Sequence, residues 1–217
     1  MENIFANYEN QEWVTKELIL ILNNHQLNIE EWKQKADQYQ NVTVFQQPDE
    51  VSLGACLNFA IEKTKYDYIA KFDDDDFYAP LYLTEAAHCL KNDDIQIVGK
   101  RSYYLYIENK NQLLIRFPNH ENCKVKMVHG GTIVAKRVVF EQVPFLDISL
   151  GEDKYFFQHC EEKGFSIYST SRFHYTYLRR DEKFHTWKAS MGYLLRTSKR
   201  VSVTSDYKQY TDPTTEI

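Results

Sequence analysis

The fold of this chain is decided by residues 66–80, which read Tyr-Asp-Tyr-Ile-Ala-Lys-Phe-Asp-Asp-Asp-Asp-Phe-Tyr-Ala-Pro. The segment begins with aromatic and apolar residues that no Gly or Pro interrupts, a pattern typical of a β-strand. It ends in four consecutive aspartates, Asp73 to Asp76, and Pro80 then stops the run. We therefore expect a buried strand whose carboxyl end carries a cluster of acids.

These acids predict a binding site for a divalent cation. Because side chains alternate along a strand, Asp73 and Asp75 are expected on one face, with Asp74 and Asp76 on the other. Two carboxylates about 5 Å apart repel by roughly 3 kcal/mol at an effective dielectric near 20. A divalent cation removes this penalty, and open α/β sheets bind their ligands at the carboxyl ends of strands. The alternative is a solvated acidic turn, which is how most charge runs behave.

The residues before the acidic strand predict an α/β fold. Apolar runs and helical spacing give, in order, a helix in 1–16, a strand at 17–22, a helix at 28–39, a strand at 42–45 and a helix at 53–65. This order, with short links, predicts a doubly wound mixed sheet flanked by helices. Such a sheet usually begins with a central strand, whereas this chain begins with a helix. We therefore expect the usual first strand to be missing from residues 1–217 and to lie upstream of Met1.

The second half of the chain continues the alternation and then loses it. The expected elements are a helix at 81–90, a strand at 95–99, a hairpin of 101–108 with 112–118, a strand at 130–135, a helix at 136–143, a helix from Gly151 to a cap at Gly164, and a strand at 166–170. Residues 172–188 are rich in His, Arg and Tyr without a clear period, and we expect a functional loop followed by a helix. We expect a single domain over 1–199 and a polar, frayed tail over 200–217.

The composition limits the classes of function. A net charge of -5 offers nucleic acid no basic surface, and 43% hydrophobic residues fit a soluble globular protein. No apolar run is long enough for a transmembrane segment. The four cysteines show no paired spacing and no signal peptide precedes them, so we expect reduced thiols and a cytoplasmic protein, with peripheral membrane association allowed. Most of the 16 Tyr and 13 Phe residues are expected to pack in the core.

Three features in this order resemble the family 2 glycosyltransferases with the GT-A fold. Residues 52–62 followed by 66–76 resemble the Gly/Ala-rich helix and D-x-D strand of that family. Residues 17–24 are similar to its second strand, and Gly151-Glu152-Asp153 is similar to its E-D motif. Asn23 and Asn24 stand where many relatives carry Asp, and Leu57 stands where the helix usually carries Arg. The resemblance covers residues 5–190 and implies transfer of a sugar from a nucleotide-diphosphate donor to an acceptor hydroxyl, with inversion.

The resemblance also implies roles for individual residues. The metal ligands, for Mn²⁺ or Mg²⁺, are then Asp73, Asp75 and His185, with His174 as the alternative histidine. The implied nucleotide contacts are Asn23, Asn24, Asn58, Asp73, Asp74 and Arg179. The implied catalytic residues are Asp153 and Glu152. In this scheme Asp153 removes the proton of the acceptor hydroxyl, and Glu152 orients a neighbouring group or the acceptor. Arg180 is a second candidate for phosphate contact, and Trp187 belongs either to the core or to a sugar platform. The acceptor is a glycan, a lipid-linked molecule or a protein, and a role in bacterial surface or spore-coat glycan assembly is implied by the resemblance alone.

Two other functions remain open at the level of sequence. A nucleotidyltransferase or phosphotransferase would also place a metal on paired aspartates, but it would be expected to carry a basic Gly-rich phosphate loop, which this sequence lacks. A GT-A-like module that binds a nucleotide or glycan without catalysis fits the substitutions at Asn23 and Asn24 and the missing first strand.

Overall fold

The computed structural model describes residues 1–180 and 189–212. Its α-helices are α1 (Glu2–Glu9), α2 (Ile29–Ala36), α3 (Leu53–Lys63), α4 (Tyr82–Leu90), α5 (Arg137–Gln142), α6 (Glu152–Glu162), α7 (Met191–Arg196) and α8 (Lys208–Thr211). Its strands are β1 (Leu18–Leu22), β2 (Val42–Gln46), β3 (Tyr68–Ala70), β4 (Phe77–Tyr78), β5 (Ile97–Gly99), β6 (Tyr103–Ile107), β7 (Gln112–Arg116), β8 (Cys123–Lys124), β9 (Val134–Lys136), β10 (Ile167–Ser169), β11 (Tyr175–Arg179) and β12 (Ser198–Val203).

The strands form three sheets. β1 and β2 pair in parallel as a sheet of their own. A five-stranded mixed sheet has the order β3-β9-β5-β10-β8, and a second has the order β12-β7-β6-β11-β4. The predicted α/β class with a mixed sheet flanked by helices is confirmed. The expectation of a further strand ahead of residue 1 concerns residues outside this chain and stays a prediction.

Apolar clusters hold these layers together. The largest lies between the two five-stranded sheets and α4, and its members include Tyr78, Tyr82, Leu105 and Tyr175. A second cluster packs α3, α5 and α6 against β3, β5, β9 and β10. A third packs α1 and α2 on the β1–β2 pair. Many of the aromatic residues are buried in these clusters, as expected, and each buried aromatic side chain contributes about 1.5–3 kcal/mol.

Local sequence signals explain the early elements well. The side chains of Asn28 and Ser52 accept hydrogen bonds from the first turns of α2 and α3, as N-cap residues do. Gly164 ends the turn after α6 with φ +80°. The predicted hairpin is also present, since β6 and β7 pair antiparallel around Asn111, which adopts a left-handed conformation. All four cysteines are free thiols, as predicted.

Three sequence expectations about the elements are wrong. The first helix ends at Glu9, because residues 10–16 cross over the β4–α4 connection and bond it through Gln11 and Glu12. Within the expected loop 172–188, Tyr175–Arg179 is a buried strand, since it fits between β6 and β4. The expected tail after residue 199 contributes β12, which pairs with β7, and α8, whose Thr211 is fully buried.

Candidate active site

The acidic segment turns instead of continuing as a strand. β3 ends at Ala70, and a turn at Asp74 and Asp75 leads into β4. As a result Asp73 and Asp76 come together beside Gly131, where an added methyl group would lie 2.5 Å from Asp73 Oδ2 and 3.4 Å from Asp76 Oδ2. The predicted alternation of the four aspartates on two faces is therefore wrong, because alternation applies only while the chain stays extended.

Asp73 is fixed by three neighbours. Its carboxylate accepts a hydrogen bond from the ammonium of Lys71 and forms an ion pair with it. Its backbone N–H donates to the Tyr78 hydroxyl at 2.8 Å, and that hydroxyl donates to the Gly131 carbonyl at 2.5 Å. Burial acts to raise the pKa of Asp73, but the charge and hydrogen bond of Lys71 outweigh it and lower the pKa. Asp73 is thus an ionised acid held against the Gly130–Gly131 turn.

Asp76 is a structural acid. It is fully buried, its side chain accepts hydrogen bonds from the Tyr175 hydroxyl and from the Leu178 backbone N–H, and its carbonyl accepts from the amides of Asn3 and Asn7. Burial and the charge of Asp73 raise its pKa well above the ordinary value. Asp76 therefore ties α1 and β11 to the acidic turn.

Asp75 has the electrostatics of a cation ligand. Its carboxyl is half-buried, and burial together with the charges of Asp73 and Asp74 raises its pKa to about 6, with Arg180 acting in the opposite direction. A positive ion beside it would relieve this repulsion. Asp74 is exposed, and its backbone carbonyl accepts from Asn3 at 2.8 Å.

Asp153 lies against the first of the same two glycines. An added methyl group at Gly130 would collide with Asp153 Oδ2, just as one at Gly131 would collide with Asp73. Both residues of the predicted E-D motif begin α6, and Glu152 is buried, with its pKa raised by burial and by Asp153. The positive charge of Lys71 acts on Asp73, Glu152 and Asp153 together. The turn at Gly130–Gly131 thus brings the acidic segment and the E-D motif into one cleft.

His129 belongs to this site, although the sequence analysis did not single it out. Its ring lies 4.6 Å from that of Tyr103, and its Nδ1 lies 3.1 Å from the Tyr175 hydroxyl. Burial lowers its pKa to about 4, so the imidazole is neutral at pH 7. Lys71 was missed as well. The signal for each residue was its position: His129 directly precedes Gly130-Gly131, and Lys71 lies two residues before Asp73.

The residues predicted to bind the nucleotide fall at several places. Asn23, at the end of β1, donates to the carbonyls of Pro48 at 2.7 Å and Val51 at 3.1 Å, just ahead of α3. Asn24 accepts from the Gln26 N–H at 2.8 Å. The amide of Asn58 is engaged on both sides by the backbone of Phe145.

Arg179 is buried in β11, where it donates to the Tyr177 hydroxyl and to the Ala189 carbonyl, each at 3.2 Å. Contact between the nucleotide and Arg179, or any of the three asparagines, stays a prediction.

Of the two histidines considered as metal ligands, the described residues include only His174. His185 and Trp187 lie outside the described residues. His174, the rival, lies in a different cluster, where burial and the charge of Lys100 lower its pKa and Glu85 acts in the opposite direction. Within 1–180 and 189–212, no three His, Cys, Asp or Glu side chains form a group that could hold a metal ion. In the same ranges, the helices are too short or too polar to cross a membrane.

Comparison with solved structures identifies the fold. TarS from S. aureus, residues 1–349 in complex with UDP-GlcNAc, superposes with a TM-score of 0.67 at 13% identity over 82% of this chain and 54% of that chain. A second structure of TarS 1–349 gives a TM-score of 0.65 at 13% identity over 84% and 57% of the two chains. The chain thus spans little more than half the length of these structures. The architecture is the GT-A fold of glycosyltransferases.

The family follows from the sequence match. Residues 2–146 match the family described as Glycosyl transferase family 2. Since this match covers well over half of the chain, the chain belongs to glycosyl transferase family 2, as the motif order indicated. No curated protein sequence matches it.

Proposed function

We propose that this chain is a metal-dependent, inverting glycosyltransferase that moves a sugar from a nucleotide-diphosphate donor to an acceptor hydroxyl. The observation that carries the proposal is the placement of Asp153 against Gly130 and of Asp73 against the adjacent Gly131. The acidic segment then serves the donor and the E-D motif serves the acceptor, with both in one cleft.

The residues present fit a divalent metal through Asp75. Magnesium and manganese are commonly held by one or two carboxylates together with substrate phosphates and water. Asp75 supplies a carboxylate whose pKa is raised by burial and by the charges of Asp73 and Asp74, whereas Asp73 is already paired with Lys71. We therefore assign the ligand role to Asp75 and the donor-positioning role to Asp73. When bound, the metal supplies charge stabilisation for the departing diphosphate.

Asp153 is the proposed base. An acceptor hydroxyl is a poor nucleophile, and a carboxylate that removes its proton contributes about a hundredfold to ten-thousandfold in rate. Asp153 lies at the start of α6, where the helix dipole favours an ionised acid. Buried Glu152 beside it positions the turn. A single base opposite the leaving group gives inversion at the anomeric carbon.

The proposal is tested by calorimetry and turnover together. UDP, GDP and dTDP are titrated with and without manganese, and at least one should bind with an affinity that manganese increases at least tenfold. Asp75→Asn should remove the manganese effect, while Asp67→Asn, an exposed aspartate at the other end of β3, should keep it. Asp153→Asn should lower release of the nucleotide from its sugar donor by about 10² to 10⁴ with donor affinity within a few-fold.

The alternatives predict other results. Nucleotide binding without turnover in the wild-type chain would favour the binding module, and pyrophosphate release from a nucleoside triphosphate would favour the nucleotidyltransferase. We propose that the chain acts in the cytoplasm or at a membrane surface, on a glycan, lipid-linked or protein acceptor.

A further inference from the structure

Two arginines lie against one aromatic ring beside the candidate site. The guanidinium carbon of Arg101 is 4.0 Å from the centre of the Phe117 ring, and that of Arg116 is 4.4 Å from it. Phe117 holds this position with φ +41°, an uncommon conformation for a bulky residue. Neither arginine has a carboxylate within ion-pair distance in residues 1–180 or 189–212. Two positive charges are thus held close together without a negative partner in that part of the chain.

Arg116 is the buried member of the pair. It is only 1% exposed, and its Nη1 donates to the Thr197 hydroxyl and, at 3.4 Å, to the Leu194 carbonyl. Its Nε is also buried and has no hydrogen-bond partner in the described structure. A buried charge with an unused N–H is costly unless an anion compensates it. Arg101 is partly exposed, and its backbone is fixed by a 2.9 Å bond from its N–H to the Ser169 hydroxyl.

The pair lies beside His129, the residue before the two glycines. Both positive charges act on His129, and the Tyr103 ring next to His129 is close to both guanidinium groups. The N–H of His129 donates at 2.8 Å to the carbonyl of Lys100, the residue before Arg101. His129 leads directly into Gly130, which contacts Asp153. The arginines therefore lie close to the Gly130–Gly131 turn, next to the residues that the proposed function gives to the donor and the acceptor.

We propose that Arg101, with the charge of Arg116 behind it, binds an anionic group carried by the acceptor, a phosphate or a carboxylate. This inference rests on the proposed function for the assignment of the anion to the acceptor. Guanidinium groups suit the task because their fixed N–H donors match the oxygens of phosphate and carboxylate groups. Stacking on Phe117 holds the Arg101 guanidinium in place before the anion arrives.

The test separates the acceptor anion from the donor diphosphate. Inorganic phosphate, and in a second series acetate, is titrated into the full chain saturated with UDP and manganese, and binding is followed by calorimetry and by NMR shifts of arginine side chains. Phosphate or acetate should still bind, and Arg101→Gln should weaken that binding at least tenfold. Arg101→Lys should weaken it less, because it keeps the charge but loses the fork of donors. Arg200→Gln, which removes an exposed charge from β12, should leave it within twofold.

Tighter binding of phosphate than of acetate identifies a phosphorylated acceptor, and the reverse order identifies a carboxylated one. Equal anion binding by the wild-type chain and a folded Arg101→Gln variant would overturn the inference. It would leave the proposed binding of the donor nucleotide unaffected. Anion binding that disappears when UDP is present would overturn it too, since the anion would then occupy the donor site. If UDP fails to bind, the proposed function falls, and titration without nucleotide still tests whether Arg101 binds an anion.

Discussion

At the scale of single residues, the candidate site depends on the balance between its acidic side chains and the positive charge of Lys71. Lys71 lies among Asp73, Glu152 and Asp153, and it offsets a repulsion that three acids around one turn would otherwise produce. His129 lies against the same turn and stays neutral because burial keeps a proton off its ring. These two residues set the charge of the cleft, although neither belongs to a recognised motif.

The pKa of His129 predicts how stability depends on pH. In the folded chain its pKa is about 4, against 6.5 for a free imidazole. Below pH 6.5 the imidazole is protonated in the unfolded chain but not in the folded chain, so the contribution of His129 to stability falls as pH drops from about 6.5 toward 4. Between pH 7 and pH 5 this loss amounts to about 1–2 kcal/mol. Denaturant unfolding of the wild-type chain and His129→Gln at both values should show a shallower fall in the variant.

The matched control is His88→Gln, which changes an exposed histidine on α4. Its fall between pH 7 and pH 5 should equal that of the wild-type chain. Parallel falls in all three proteins would mean that His129 is already solvated in the folded state, and its place in a dry cleft would be wrong.

At the scale of elements, a buried ion pair joins α4 to the segments after β5 and β10. The ammonium of Lys100 is 1% exposed and donates to Glu85, which also accepts from the Ser171 N–H at 3.1 Å and the Thr170 hydroxyl at 3.3 Å. Burial acts to raise the pKa of Glu85, but Lys100 outweighs it and lowers the pKa. One carboxylate therefore connects a helix and two strand ends under the cleft.

Removing that carboxylate should destabilise the chain strongly. Glu85→Gln leaves the Lys100 ammonium buried without a counter-charge, which costs about 3–5 kcal/mol in comparable cases. Glu161→Gln breaks an exposed pair with Lys126 (N···O 2.8 Å) and should cost at most about 1 kcal/mol. Urea unfolding at pH 7 measures both, and equal losses would show that Lys100 reaches water.

The sequence predicted the elements whose signals are local. The apolar run of β1, the caps at Asn28 and Ser52, and the turn at Asn111 each act within a few residues. β12 was missed because its exposed residues resemble a tail until β7 pairs with it. The aspartate alternation failed because Tyr175 and Leu178, a hundred residues away, bind Asp76 and fix the turn.

The candidate site was predicted only in part, because local sequence patterns do not show which distant residues meet. The motif order brought Asp73, Asp75, Glu152 and Asp153 into consideration, and Gly130-Gly131 was noted only as a turn before a strand. The contact of each glycine with a different acid depends on the meeting of α6 with β3, which no local pattern reveals. The paired arginines on Phe117 likewise come from β6 and β7 packing and not from a motif.

At the scale of the whole molecule, the proposed function gives Gly131 to the donor part of the site and Gly130 to the acceptor part. Residues up to the acidic segment, with the β1–β2 pair and α3, form the part that we assign to the donor. The start of α6 brings Asp153 against Gly130. Only a residue without a side chain fits at either position, because Asp73 and Asp153 already fill the space beside the turn.

This arrangement predicts that alanine at the two neighbouring glycines will have different effects. Gly131→Ala pushes on Asp73, which is held by Lys71 and Tyr78 and cannot move freely, so donor affinity should fall by about tenfold or more. Gly130→Ala pushes on Asp153 and should lower turnover by a similar factor while donor affinity stays within a few-fold. Isothermal titration with the nucleotide that binds best, and initial rates with its sugar donor, measure both effects. Each glycine serves as the control for the other, since both changes add one methyl group to the same turn. If both variants lose donor affinity equally, the turn acts as one structural unit, and the division of the cleft between donor and acceptor is wrong.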